Sequence, residues 1–150
     1  MDHKRAPWIV VACVLLAAGC AGMFTREPTL YERLGGKPAI EAVVDDFLSR
    51  LAADPRLTNQ QVKKRLEAIH IPSLKVKVVN QLCEATGGPC KYAGRDMKMS
   101  HAGLEITSRE FDIGVEDLVA TLNKFKVGER EKSELLALLG PMKKDIAQKP

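Results

Sequence analysis

From Thr29 onward, apolar positions recur every three or four residues, the period of helices that bury one face. In "AIEAVVDDFLSRL", Ile40, Val43, Val44, Phe47 and Leu51 fall on one side, with Pro38 near the start. Gly35-Gly36 sets this helix off from a shorter one that holds Leu30, Tyr31 and Leu34, and Asp54-Pro55 ends it. A polar stretch intervenes before Pro72 opens the next helix, with Leu74, Val78, Leu82 and Ala85 along one stripe. Gly87-Gly88-Pro89 stops that helix, as glycine and proline do beyond a C-terminus. Met97, His101 and Leu104 follow at spacings of four and three. Thr107-Ser108-Arg109-Glu110 is a capping box for a long helix carrying Phe111, Val115, Leu118, Leu122 and Phe125. A last helix runs from about Glu129 to Leu139 and closes at Gly140-Pro141. No stretch alternates like a strand, so the predicted class is all-α.

At 150 residues there is room for one domain and a tail. Hydrophobic residues make up 45% and aromatics only 5%, so the core must be mostly aliphatic. The N-terminus stands apart. Lys4 and Arg5 precede the apolar run "WIVVACVLLAA", which is too short to span a bilayer but suits a secretory leader. Its ending, "LLAAGC", resembles a bacterial lipobox, with Cys20 as the lipidated first residue. It departs from that pattern in having Ala17, not leucine, three places before the cysteine, with Leu16 one step earlier. The expected organisation is a leader over 1–19, a lipidated cysteine and tether over 20–28, and a domain over 29–147. The resemblance implies a cell-envelope protein facing the periplasm, held to the bacterial membrane by its lipid. Ala21 after the cysteine favours the outer membrane in a Gram-negative cell.

Loss of residues 1–19 removes Lys4, Arg5 and Asp2, and takes the formal charge from +4 to +3. No basic stripe is interleaved with aromatics, which excludes a nucleic-acid binder. The paired lysines at 63–64 and 143–144 read as solvated helix faces.

The chemistry-bearing inventory is small. There is no phosphate-binding glycine loop, no nucleophile elbow and no zinc spacing. His3 leaves with the leader, so only His70 and His101 remain. Two histidines without clustered carboxylates argue against a hydrolase and suit a site in which one imidazole does everything. A haem iron held by one histidine in an aliphatic pocket is such a site. Spacing alone also allows His101 to be a core histidine. His70, just before Ile71-Pro72, reads as a helix-start residue. With Cys13 and Cys20 assigned to the leader and the lipid, Cys83 and Cys90 are left in "CEATGGPC". In an exported chain they read as a disulfide folded across the Gly-Gly-Pro turn, or else as two free thiols.

Two segments carry a more specific likeness. "TLYERLGGKPAIEAVVDDFLSRLAADPRL", and "GGPCKYAGRDMKMSHAGLEIT" with the phenylalanine after it, resemble group I truncated haemoglobins. The likeness spans roughly 29–147 and keeps an early Gly-Gly, the second-helix phenylalanine, the G-G-P and an R-x-M-x-x-x-H run in order. It implies a two-over-two helical sandwich holding one haem b per chain, with O2, NO or CO as ligand. His101 would then supply the axial nitrogen. Met97, Leu104, Ile106, Phe111, Val115 and Leu118 would line the proximal side and haem edge. Phe47 would face the haem, and Leu74, Val78 and Leu82 would form the distal wall. Arg95 and Lys98 would meet the propionates, or remain solvated surface charges.

Departures from the family pattern matter as much. Leu48 stands where the family usually has a tyrosine that donates to bound O2. Leu74 and Val78 stand where glutamines are frequent, and Leu66 takes the place of a wedging phenylalanine, in a connection longer than usual. Loss of one hydrogen bond speeds O2 release roughly tenfold or more. Lys77 would ligate iron from the far side or snorkel outward, and Gln81 would donate to the ligand or serve as surface polarity. A haem enzyme, either an NO dioxygenase or a peroxidase, and a haem-less envelope interaction module are the alternatives. A reductase partner is implied for any cycle that oxidises the iron.

Overall fold

The computed structural model describes residues 26–149, so Cys20 and the leader lie outside the described residues. The predicted capping box at Thr107 forms, and a second one, not predicted, forms at Thr29. Thr29 closes the start of α1 (Leu30–Arg33) with Glu32, and Thr107 closes the start of α6 (Ser108–Lys124) with Glu110. In each, the hydroxyl accepts from a backbone N–H three residues on while the carboxylate accepts from the cap's own N–H.

α2 (Gly36–Ala53) is the spine of the molecule and packs against both α4 (Ile71–Ala85) and α6. α1 bridges α2 to α7 (Glu129–Leu139), where the Arg33 guanidinium is clamped by Glu131 and Glu134. The core at this junction is aliphatic, as the composition requires: Leu30, Ile40, Val43, Val44, Val79, Leu82, Leu118, Leu122 and Leu135 with Cys83. Each such side chain contributes about 1.5–3 kcal/mol on burial. Polar groups that enter the core are paired. The Thr121 hydroxyl, wholly buried, donates to Asp46 at 3.0 Å, and buried Lys132 donates to Asn123 at 2.6 Å.

α4 ends where a backbone turn is forced. Gly87 adopts a left-handed φ of 86°, and a Cβ at Gly88 would sit 2.5 Å from the Tyr31 ring and 2.7 Å from the Cys83 carbonyl oxygen. Only glycines fit there. Beyond this turn Cys90 returns to Cys83, and a disulfide joins them.

Four features differ from the sequence expectation. The polar stretch contains a helix, α3 (Gln60–Ala68), capped by the Asn59 side chain at Gln61 and Val62. Its apolar residues are few and none is buried, so no clear stripe marked it. Phe125 does not extend the α6 stripe; it is the C-cap, 40% exposed, and the chain turns left-handed at Lys126. The buried face of α6 is instead Ile113, Asp117, Leu118, Thr121 and Leu122. Gly140-Pro141 does not end the fold, because proline is tolerated in a first turn. The chain continues through a 3-10 turn (Gly140–Met142) into α8 (Lys143–Ile146). Among the described residues there is no strand, only one isolated bridge between Thr107 and Lys149.

Candidate functional site

α5 (Met97–His101) is a single short helix whose N-cap, Asp96, accepts from the Met99 amide at 2.7 Å. His101 is its last residue and not its middle, so Leu104 lies beyond the helix, past Gly103, and is buried there. The half-buried His101 ring places Nδ1 2.8 Å from the Met97 carbonyl oxygen. A carbonyl can only accept, so Nδ1 carries the proton and donates. Nε2 is the other ring nitrogen, and it has no hydrogen-bond partner among the described residues. The same arrangement fixes the tautomer of a histidine that ligates a metal.

Opposite α5 stands one face of α4. Leu74, Lys77, Val78 and Gln81 recur on it at three- and four-residue spacing. Gln81 shows where that face points, since its amide nitrogen lies 3.3 Å from the Met97 sulfur and 3.6 Å from the Met142 sulfur. α4, α5 and the turn before α8 therefore meet at Gln81 and the two methionine sulfurs. Phe47 and Leu48 are half-buried against the edge of the core, while Ile106, Phe111 and Val115 are half-buried on the segment after α5. The Lys143 ammonium lies 5.7 Å from the Phe111 ring centre, which sets α8 beside that segment.

Leu82 and Leu118 are buried in the aliphatic core, at 8% and 6% exposure. On α4, Leu82 shares the Val79–Cys83 face turned towards α2, and it closes on Leu34, Ile40, Val43 and Leu122. Leu66 is half-buried on α3, a helix with no buried residue. Lys77, Arg95 and Lys98 are exposed and form no ion pair among the described residues. His70 is the N-cap of α4, with Nδ1 2.9 Å from the Ser73 hydroxyl, which leaves it a helix-start residue. Met142, which meets Gln81, is the residue that sequence reasoning missed, because Gly140-Pro141 read as the end of structure.

The donor set and walls fit a haem. One imidazole nitrogen is free, the surrounding side chains are apolar yet incompletely buried, and the exposed bases Arg95 and Lys98 suit carboxylates at a rim. A recess of about 580 Å³ lies elsewhere, between the end of α2 and α6. Most of its charges are engaged, since Arg56 pairs with Asp54 and Glu116 and Lys124 pairs with Asp46, while Asp117 Oδ2 and Arg50 Nε are buried without a hydrogen-bond partner. Burial beside Asp54 pushes the Asp117 carboxyl up from the usual carboxylate range, while the Arg56 guanidinium holds Asp54 down.

A small helical sandwich with one imidazole nitrogen left unpartnered on a short helix opposite α4 defines the class: a globin-type fold. The chain belongs to the bacterial-like globin family, whose model matches residues 29–148. It is 33% identical over 119 residues to the group 1 truncated haemoglobin of Mycolicibacterium paratuberculosis, covering 79% of this chain and 84% of that one. Among solved structures, the Fe(III) truncated haemoglobin of Tetrahymena pyriformis superposes with a TM-score of 0.71 at 28% identity, over 80% of this chain and 98% of that one. The 2/2 haemoglobin of a Synechococcus species, in its cyanomet state with covalently attached haem, gives a TM-score of 0.71 at 26% identity, over 79% and 98%. The fold is the two-over-two helical sandwich.

Proposed function

We propose that this protein is a haem-binding truncated globin that reversibly binds diatomic gases, with His101 holding the iron from the proximal side. The observation that carries this is the donation from His101 Nδ1 to the Met97 carbonyl, which leaves Nε2 as the ring nitrogen without a partner among the described residues. One haem b per chain supplies the iron at which O2, NO or CO binds.

The chain's own residues do the rest. Met97 fixes the imidazole's tautomer and its rotation. Leu48, Leu74 and Val78 offer a wall without a hydrogen-bond donor, so bound O2 is held weakly and released fast. Gln81 is the polar side chain on the distal face, and its amide is turned towards the Met97 and Met142 sulfurs. Arg95 and Lys98 stand free to meet the propionates. Lys77 is exposed on the same α4 face as Leu74 and Val78 and would be the nitrogen-bearing side chain nearest to a haem held there. Neither a haem-less interaction module nor a nitric oxide dioxygenase or peroxidase is favoured by the comparisons.

Titration with haemin tests the proposal. The wild type is expected to give a sharp Soret band at one haem per chain, and His101→Gly to lose it and regain it with added imidazole. A Soret band unchanged in His101→Gly would remove His101 from the iron.

The proposal extends to the envelope. The basic start, the apolar run and "LLAAGC" support export and lipidation at Cys20, with the globin domain tethered to a membrane facing the periplasm. A Cys20→Ser chain that still partitions with membranes in a labelled-palmitate experiment would end that part.

A further inference from the structure

The segment carrying His101 has little packing of its own. α5 is five residues long and buries none of them, and its main neighbour is α8. Its position is therefore set by what holds its two ends. The leading end is fixed to α4 by the Cys83–Cys90 disulfide and by Glu84, which accepts from the Tyr92 amide at 3.0 Å and from Lys91 at 3.1 Å.

The trailing end is held by the chain's last described residues. The amides of Gln148 and Lys149 both donate to the Ile106 carbonyl, at 2.9 and 3.1 Å, and the Ser108 amide donates to the Lys149 carbonyl at 3.1 Å. Lys149 Nζ also reaches Glu105 at 3.0 Å, an exposed pair that contributes little. The turn so gripped is one that needs holding, since Glu105 adopts a left-handed φ of 54°, uncommon for any residue with a Cβ. Asn59 grips the same turn from the other side, donating to the Leu104 carbonyl at 2.9 Å. From this turn the tie runs to the backbone of His101, because the Leu104 amide donates to the His101 carbonyl at 3.1 Å.

We propose that the C-terminal segment 147–149 is a strap that positions His101 for the haem iron, acting through the 104–107 turn. It rests on the haem-binding reading above and deepens it. In this arrangement the strap's backbone, not its side chains, carries the function. α8 lies against α5 and delivers the strap to the turn, so the C-terminus and the proximal histidine move together.

The experiment uses the full-length chain and two perturbed forms of it. Gln148→Pro/Lys149→Pro removes both N–H donors to Ile106, and a second form stops after Ile146. Lys149→Ala, which keeps the backbone bonds, is the control. Three readouts are taken: the rate of haem transfer to an acceptor apoglobin, the iron–imidazole stretching frequency in the reduced unliganded state, and amide exchange at Ser108 in the haem-free protein. Expected in both perturbed forms are haem loss faster by about tenfold, a shifted or broadened stretching band, faster exchange at Ser108, and unchanged helix content. Lys149→Ala should stay within about twofold of wild type. Haem loss and stretching frequency at wild-type values in both forms would overturn the proposal. So would loss of helix content in both, because the segment would then be part of the fold and not a positioning device. Failure of the haem reading shows separately, as absence of a His101-dependent Soret band in the unaltered chain.

Discussion

The two halves of this molecule are held together by different means. Where α2 meets α1, α4, α6 and α7, side chains interlock completely: Val44 and Cys83 are fully buried, Leu122 is 1% exposed and Val79 is 2% exposed. Around α3 and α5, apolar side chains are only half covered, and the backbone is secured by caps, a disulfide and the C-terminal strap. A close-packed interior has no room for a flat ligand. A region secured at its edges can open to take one while the other half keeps its shape. The contrast assigns the core to stability and the region around α5 to binding, and it can be broken by experiment.

The largest effect is expected in the core. Leu122→Ala should cost roughly 2–5 kcal/mol, with and without haem, whereas Leu66→Ala on α3 should cost less than about 1 kcal/mol because that helix buries nothing. Urea unfolding of both variants measures this, and equal losses would dissolve the distinction between the halves. Next comes the disulfide that joins the two regions. Closing the short loop between Cys83 and Cys90 restricts the unfolded chain, so reduction should lower stability by about 2–3 kcal/mol, read as a fall in the urea midpoint. Leu48→Tyr, at the half-buried edge of the core, should slow O2 release by roughly tenfold, or about 1.4 kcal/mol. Stopped-flow O2 dissociation decides it.

The smallest effect concerns Asp117. Burial, then the neighbouring Asp54 charge, raises its pKa in the folded state, so the native protein holds this proton more tightly than the unfolded chain. The stability it confers is present at low pH and is lost as pH rises through the raised value. Asp117→Asn, which stays neutral, should therefore raise the melting temperature modestly at pH 8 and scarcely at pH 4. An equal shift at both would mean that the carboxyl is not protonated in the fold.

Much of the scaffold was legible because local signals agreed with tertiary demand. The capping box at Thr107, the Gly-Gly-Pro stop and the stripe Ile40–Val43–Val44 all state their structure in a few residues. α3 was not legible because it is polar and needs no buried face. The surroundings of Leu82 and Leu118 were not legible for a different reason. A helix in contact with both a core and a ligand cleft carries apolar residues on two adjoining faces, and periodicity gives the angle between them but not which side faces which partner.

By itself, then, the sequence determined an all-α chain, its helix ends, an imidazole in a helix turn and an apolar setting for it, since each of these is a local property of backbone sterics and side-chain polarity. Only the tertiary structure decided that the His101 proton rests on Met97, that Met142 meets Gln81 from beyond an apparent stop, and that residues near the C-terminus grip the turn after the histidine. Those depend on the direction in which distant segments meet, and that direction is fixed by how the whole core packs.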